Sequence, residues 1–132
     1  MVDIKIIGAK FLELEAKKNP NFSGKLQLKT NIQINLLEKI KESKDTLKLT
    51  YIFEINYGNL GKIVIKGVLF LSMDLNTIKI ILKNKENKEY NTPEYIKVTN
   101  LVIQKASIKA LELEEELGLP IHIKLPTLSV KN

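Results

Sequence analysis

The chain alternates apolar and polar residues for much of its first half, and that alternation dictates strands. Ile4 and Ile6 face away from Asp3 and Lys5. At Ile7-Gly8-Ala9 the register breaks, and a glycine inside a strand pattern predicts a bulge that swaps the faces. Leu12, Leu14 and Ala16 then alternate with Phe11, Glu13 and Glu15, so residues 2–16 read as one long, bent strand. Residues 25–36 alternate most regularly, with Leu26, Leu28, Thr30, Ile32, Ile34 and Leu36 on one face and lysine, glutamine and asparagine on the other. Residues 46–57 repeat the pattern from Leu47 to Tyr57, and Gly58-Asn-Leu-Gly61 reads as a hairpin turn into a strand over 62–73. That strand changes at Gly67: Val68-Leu-Phe-Leu71 is apolar on both faces, so its outer face needs a cover.

The period then changes. Residues 74–91 read as a connection, with a short apolar piece at Ile78 to Leu82 that fits a strand or a helical turn equally well. Thr92-Pro93-Glu94 is a helix start: an N-cap hydroxyl, a proline at the first turn and an acid at the positive dipole end. Tyr95, Ile96, Val98, Val102, Ile103, Ala106, Ala110, Leu113 and Leu117 fall on one broad face at 3.6-residue spacing, and Gly118 ends the helix. Leu101, Ile108 and Leu111 form a second stripe that a simple lid on a sheet does not need, which points to contact between helices of an oligomer. The expected fold is therefore α+β: a four-stranded antiparallel sheet covered by one long C-terminal helix over 92–117, in a single domain spanning 1–132. A short apolar post-helix segment follows within 119–130.

Composition narrows the function. The absence of cysteine excludes thiol chemistry, disulfides and cysteine-bound zinc. No apolar run approaches the roughly 20 residues that cross a bilayer, so no membrane association is expected and the cytoplasm is the default compartment. The net charge of +6 raises the question of nucleic acid. All the basic residues are lysines, however, and they are scattered along strand faces without the arginine fork that base and phosphate recognition favour. Nucleic acid is thus the weaker reading, as a small basic binding or adaptor module.

No Gly-rich phosphate loop, HExxH or GxSxG sequence is present. The lone histidine, His122, has no cysteine or carboxylate cluster beside it in sequence and reads as a solvent-facing or hydrogen-bonded side chain. The glutamates at 112, 114, 115 and 116 are spread around the helix and read as a solvated face, with no metal site expected. Neither catalytic residues nor a cofactor is expected, and the protein reads as a non-enzyme.

Order and spacing together resemble the SecB family of export chaperones. Lys5-Ile-Ile-Gly-Ala-Lys-Phe-Leu-Glu-Leu-Glu-Ala16 with Asn19-Pro20 resembles that family's first strand and its exit. Phe22 stands in the crossover loop where the family carries an aromatic, and Gly67-Val-Leu-Phe-Leu71 resembles the end of its fourth strand. Pro120 and Pro126, after Gly118, resemble the prolines of its post-helix loop. The resemblance implies an ATP-independent holdase for extended, non-native polypeptides, assembled as a dimer of dimers with its main helices at the centre. On that basis Phe11, Phe22, Phe70, Leu119, Ile121 and Ile123 are expected to line a client groove. Leu101, Ile108 and Leu111, with Ile63 and Ile65, are expected at an interface between copies. Export chaperones of this family are acidic and dock the motor SecA. The basic balance here, and the end at Asn132 soon after the second proline, make SecA docking and an export role doubtful.

Overall fold

A computed structural model describes residues 3–122. Four strands form one antiparallel sheet: β1 (Lys5–Lys18), β2 (Lys29–Lys39), β3 (Thr46–Asn56) and β4 (Gly61–Ser72). Their order across the sheet is β1-β4-β3-β2, so β1 and β2 are the two edges and the chain between them crosses one end of the sheet. Two helices, α1 (Leu75–Glu86) and α2 (Pro93–Leu117), cover one face.

The core lies where the alternation places it. Leu47, Leu49, Tyr51, Phe53, Ile55 and Tyr57 of β3, with Ile63, Ile65, Leu69 and Leu71 of β4, are buried between the sheet and the helices. Each such side chain contributes about 1.5–3 kcal/mol relative to exposure. From α2 they meet Tyr95, Val98, Val102, Ala106 and Ala110, the predicted broad face. The alanines let the helix sit close to the sheet. Gly67, on the core face of β4, is where the Tyr51 ring crosses the neighbouring strand: a Cβ there would overlap the phenol.

The predicted bulge exists, with Ile7 as the extra residue between the Ile6 and Gly8 pairs. A second bulge was not legible. Leu12 is also extra, between Phe11 and Glu13. It leaves Leu12 63% exposed and puts Phe11, opposite Gly67, on the core face with Leu14 and Ala16. The expected grouping of Leu12 with Leu14 and Ala16 is thereby corrected.

β2 begins later than the alternation suggested. Lys29 pairs with Asn56, the last residue of β3, and beyond it the chain turns through a 3₁₀ segment at Gly58–Leu60. Residues 25–28 have no strand to pair with, and Leu26 and Leu28 are exposed.

The largest correction is α1, which replaces the expected connection over 74–91. Asp74 caps it by accepting a hydrogen bond from the Thr77 amide at 2.9 Å, and Thr77 thereby holds the Asp74 carboxyl below its usual value. Ile78 and Ile81 are fully buried, and Leu82 leans on the core, at helical spacing. The sheet is therefore covered by two helices. The second starts as predicted, with Thr92 Oγ1 accepting from the Tyr95 amide at 3.2 Å and Pro93 in its first turn. It ends at Gly118, in the left-handed conformation (φ 70°). Ile96, placed by periodicity on the buried face, is exposed. No described helix is long and apolar enough to cross a membrane.

Candidate peptide-binding groove

Two cavities line up along the β2 edge of the molecule. The larger, about 490 Å³, is bounded by Ile32, Gln33, Ile34 and Asn35 of β2, Lys85 of α1, Tyr90 of the turn between helices, and Tyr95 and Thr99 of α2. The smaller, about 130 Å³, is bounded by Thr30, Asn31 and Ile32 of β2, Phe53 of β3, Ile103 and Ser107 of α2, and His122. Ile32 is common to both, so together they run beside β2.

The larger cavity has an aromatic corner. Tyr90 and Tyr95 stand with ring centroids 5.0 Å apart, tilted by 44°. The turn carrying Tyr90 is tied down by Asn84 Nδ2, which donates to Thr92 Oγ1 at 2.6 Å from a buried position on α1. Burial, and after it the neighbouring Tyr90, raises the Tyr95 phenol pKa above the ordinary value.

A buried polar network closes the other end. Glu114 and His122 each have side chains only 1% exposed, with His122 Nδ1 2.8 Å from Glu114 Oε1. Tyr57 donates its hydroxyl to Glu114 Oε2, and His122 Nε2 lies 3.1 Å from Ser107 Oγ. Burial, the hydrogen bond and the carboxylate charge together push the Tyr57 phenol far above its ordinary range. Phe53 meets the imidazole edge-on at 5.7 Å. Leu119, buried between the helix end and the sheet, anchors the same segment.

None of this network was legible. Glu114 lies eight residues before His122, and the intervening helix end folds back to join them. The expectation of a solvated glutamate face fails at Glu114, while His122 is a hydrogen-bonded side chain, one of the two readings its sequence allowed. The one available signal was that Ser107 and Glu114, seven apart, share the buried stripe of α2 with Ala106 and Ala110. Ser107, His122 and Glu114 stand in the order of a nucleophile, base and orienting acid. Ser107, however, lies inside a helix whose own amides are committed to the helix ladder, so that helix offers none to a developing oxyanion. The arrangement secures the segment after α2.

The predicted groove residues do not converge. Phe11 faces the helices and lies beneath Lys109, whose Nζ is 5.5 Å from the ring centroid. Phe70 lies on the opposite face of the sheet, its ring against Gly8. Phe22 packs half-buried against the core from the crossover. Leu119 is core, Ile121 is exposed, and Ile123 is outside the described residues. Ile63 and Ile65, expected between copies, are wholly covered by the chain's own helices. Of the second stripe on α2, Leu101 rests partly on the core and Leu111 is half-buried, while Ile108 is 60% exposed.

The outer sheet face holds Val64 and Val68 buried among neighbouring side chains, with Lys66–Glu13 (3.1 Å), Lys62–Glu54 (3.8 Å) and Lys48–Glu38 (3.9 Å) ion pairs beside them. Lysines outnumber glutamates on this face, and these pairs offset part of its positive charge. Among the described residues no group of three or more acids or histidines could hold a metal ion.

The bulged first strand, the crossover to the far edge, the order β1-β4-β3-β2 and the long capped helix make up a fold that the chain shares with a solved SecB-like chaperone. Among solved structures, the chain is similar to the Mycobacterium tuberculosis Rv1957 SecB-like chaperone in complex with a ChAD peptide from the Rv1956 HigA1 antitoxin. The TM-score is 0.56 at 11% identity, over 98% of this chain and 93% of that one. A protein of unknown function from Streptococcus agalactiae is similar as well, with TM-score 0.53 and 11% identity over 96% and 99% of the two chains. No family model matches the sequence. No curated protein matches it either.

Proposed function

We propose that this protein is an ATP-independent, non-enzymatic chaperone that holds extended, non-native polypeptide in the groove beside β2. The observation that carries this reading is the groove itself: it runs beside β2, lined by Ile32, Ile34, Phe53, Tyr90, Tyr95 and Ile103 among amide and hydroxyl side chains, with Lys85 its only lysine and no carboxylate in its lining. Burial of apolar side chains is non-directional, so such a groove accepts many sequences. The similarity to a fold solved with a polypeptide bound supports the same reading. The holding unit is a homo-oligomer, a dimer of dimers, with the exposed Ile108 side of α2 between copies; it works in the cytoplasm and independently of SecA. Its client is either a range of unfolded chains or one dedicated unstable partner.

The test combines molecular mass in solution with suppression of aggregation of several unrelated unfolded proteins, without nucleotide. A tetramer that protects them, or that protects one client selectively, supports the proposal. A monomer that leaves every client unprotected removes it. Nucleic-acid binding that falls steeply with salt would favour the alternative of a basic binding module.

A further inference from the structure

Six consecutive residues of β2, from Thr30 to Asn35, border the two cavities. Successive strand side chains point to opposite faces, so a cavity above one face would touch every other residue. Here Thr30, Ile32 and Ile34 share the core face with Ile55, Phe53 and Tyr51, whereas Asn31 and Gln33 share the outer face with Glu54 and Ile52. A groove in contact with both sets runs along the rim of the strand. Its floor is the outer backbone of β2, which has no neighbouring strand among the described residues.

That rim is also unguarded. Exposed edges are ordinarily blunted by charge, proline or a bulge. From Thr30 to Leu37 the strand carries no charged residue and no proline, and its one bulge, at Asn35, lies at the far end of this stretch, so Thr30 to Ile34 run without a register shift. Resting on the groove reading above, we propose that the client is bound as an added β-strand on β2, over about six residues or roughly 20 Å. Its backbone amides pair with residues 30–35. Same-face side chains two apart enter the cavities: a small aliphatic one beside His122 and an aromatic or large aliphatic one beside Tyr95, the larger side chain going to the larger cavity, about 490 against 130 Å³. Recognition is therefore of non-prolyl, β-capable segments with a small and a large apolar residue at i and i+2, not of apolar content in general.

Peptides of about nine residues carrying Val-Thr-Phe or Phe-Thr-Val in a threonine-serine background test this with the intact protein, using fluorescence anisotropy. Two further sets carry N-methyl groups on alternate backbone amides, in one register or the other. One register should lose at least about ten-fold in affinity and the other should bind as the parent does. Amide exchange of residues 30–35 should slow on binding. Equal tolerance of both registers overturns strand addition while leaving the groove reading intact, since a side-chain-only site ignores amide methylation. Protection of unfolded clients without binding of either parent peptide overturns it too. Concentration-dependent exchange protection of β2 in the free protein would show a second copy on the rim and overturn it likewise. Failure of both peptides and clients to bind would remove the groove reading with it.

Discussion

The two edges of the sheet are built on opposite plans. β1 carries charges at Lys5, Lys10, Glu13, Glu15, Lys17 and Lys18 and is bent by two bulges, at Ile7 and Leu12. Its Glu13 is paired across to Lys66 of β4. β2 confines its charges to the ends, at Lys29, Glu38 and Lys39, leaves its middle neutral, and has a single bulge, at Asn35. Nothing in β-sheet formation demands the difference, since both strands pair well with their inner neighbours. What differs is the treatment of the free rim: β1 is made hard to extend and β2 is left extendable, next to two cavities. A sheet that guards one edge and not the other has one edge to use.

The contrast is most severely disturbed by cutting the support at the β2 end. Glu114→Ala strands the Tyr57 hydroxyl and the His122 imidazole without their shared partner. Its expected cost is about 3 kcal/mol in urea denaturation, together with loss of client protection. Gly67→Ala strikes the middle of the sheet by forcing a methyl group into Tyr51. It is expected to cost about 2 kcal/mol by the same measurement, at both edges alike. Above pH 10.0, the ordinary phenol value, the buried Tyr51, Tyr57 and Tyr95 have raised pKa values in the fold. Their contribution is complete below that pH and falls away as pH rises beyond it, because unfolding then releases protons. In a Tyr90→Phe background, which removes the one exposed phenol, tyrosinate absorbance should therefore rise with unfolding and not before it.

Gln33→Lys sharpens the comparison by giving β2 the guard that β1 has. Stability should change by less than about 0.5 kcal/mol while client protection falls several-fold, read by urea denaturation beside light scattering. The smallest effect belongs to β1: Glu13→Gln breaks only a surface ion pair. It should shift stability by less than about 0.5 kcal/mol and leave client protection unchanged. Equal loss of protection in the two edge variants would abolish the distinction.

What was legible in the sequence follows from which interactions are local. The alternation of β3 and β4 and the capped span of α2 are written in neighbours two to four residues apart, and they appear where expected. α1 was ambiguous because its apolar run is too short for periodicity to separate strand from helix. Its signal lay in the Asp74 cap, which marks a helix start as Thr92 does. Leu12 was misplaced because its bulge has no glycine to announce it. The site was least legible. Glu114 and Tyr57 meet across 57 residues of chain, and the β2 rim becomes a groove wall only once both helices stand beside it. Phe11 and Phe70 looked like one surface in sequence, and the sheet separates them to opposite faces.

The strand order β1-β4-β3-β2 has a kinetic consequence. β2, β3 and β4 zip together as successive hairpins, each closing a short loop. β1 can dock only after β4 exists, across the whole length of both hairpins. Contacts so distant along the chain place the search for that last strand on the slow side of two-state folding, in milliseconds to seconds. Until β1 docks, β4 has an open side of its own, an unpaired edge of the kind that invites association between chains. Refolding should accordingly yield less native protein as concentration rises, and β1 amides should be the last to gain protection in pulse-labelled exchange.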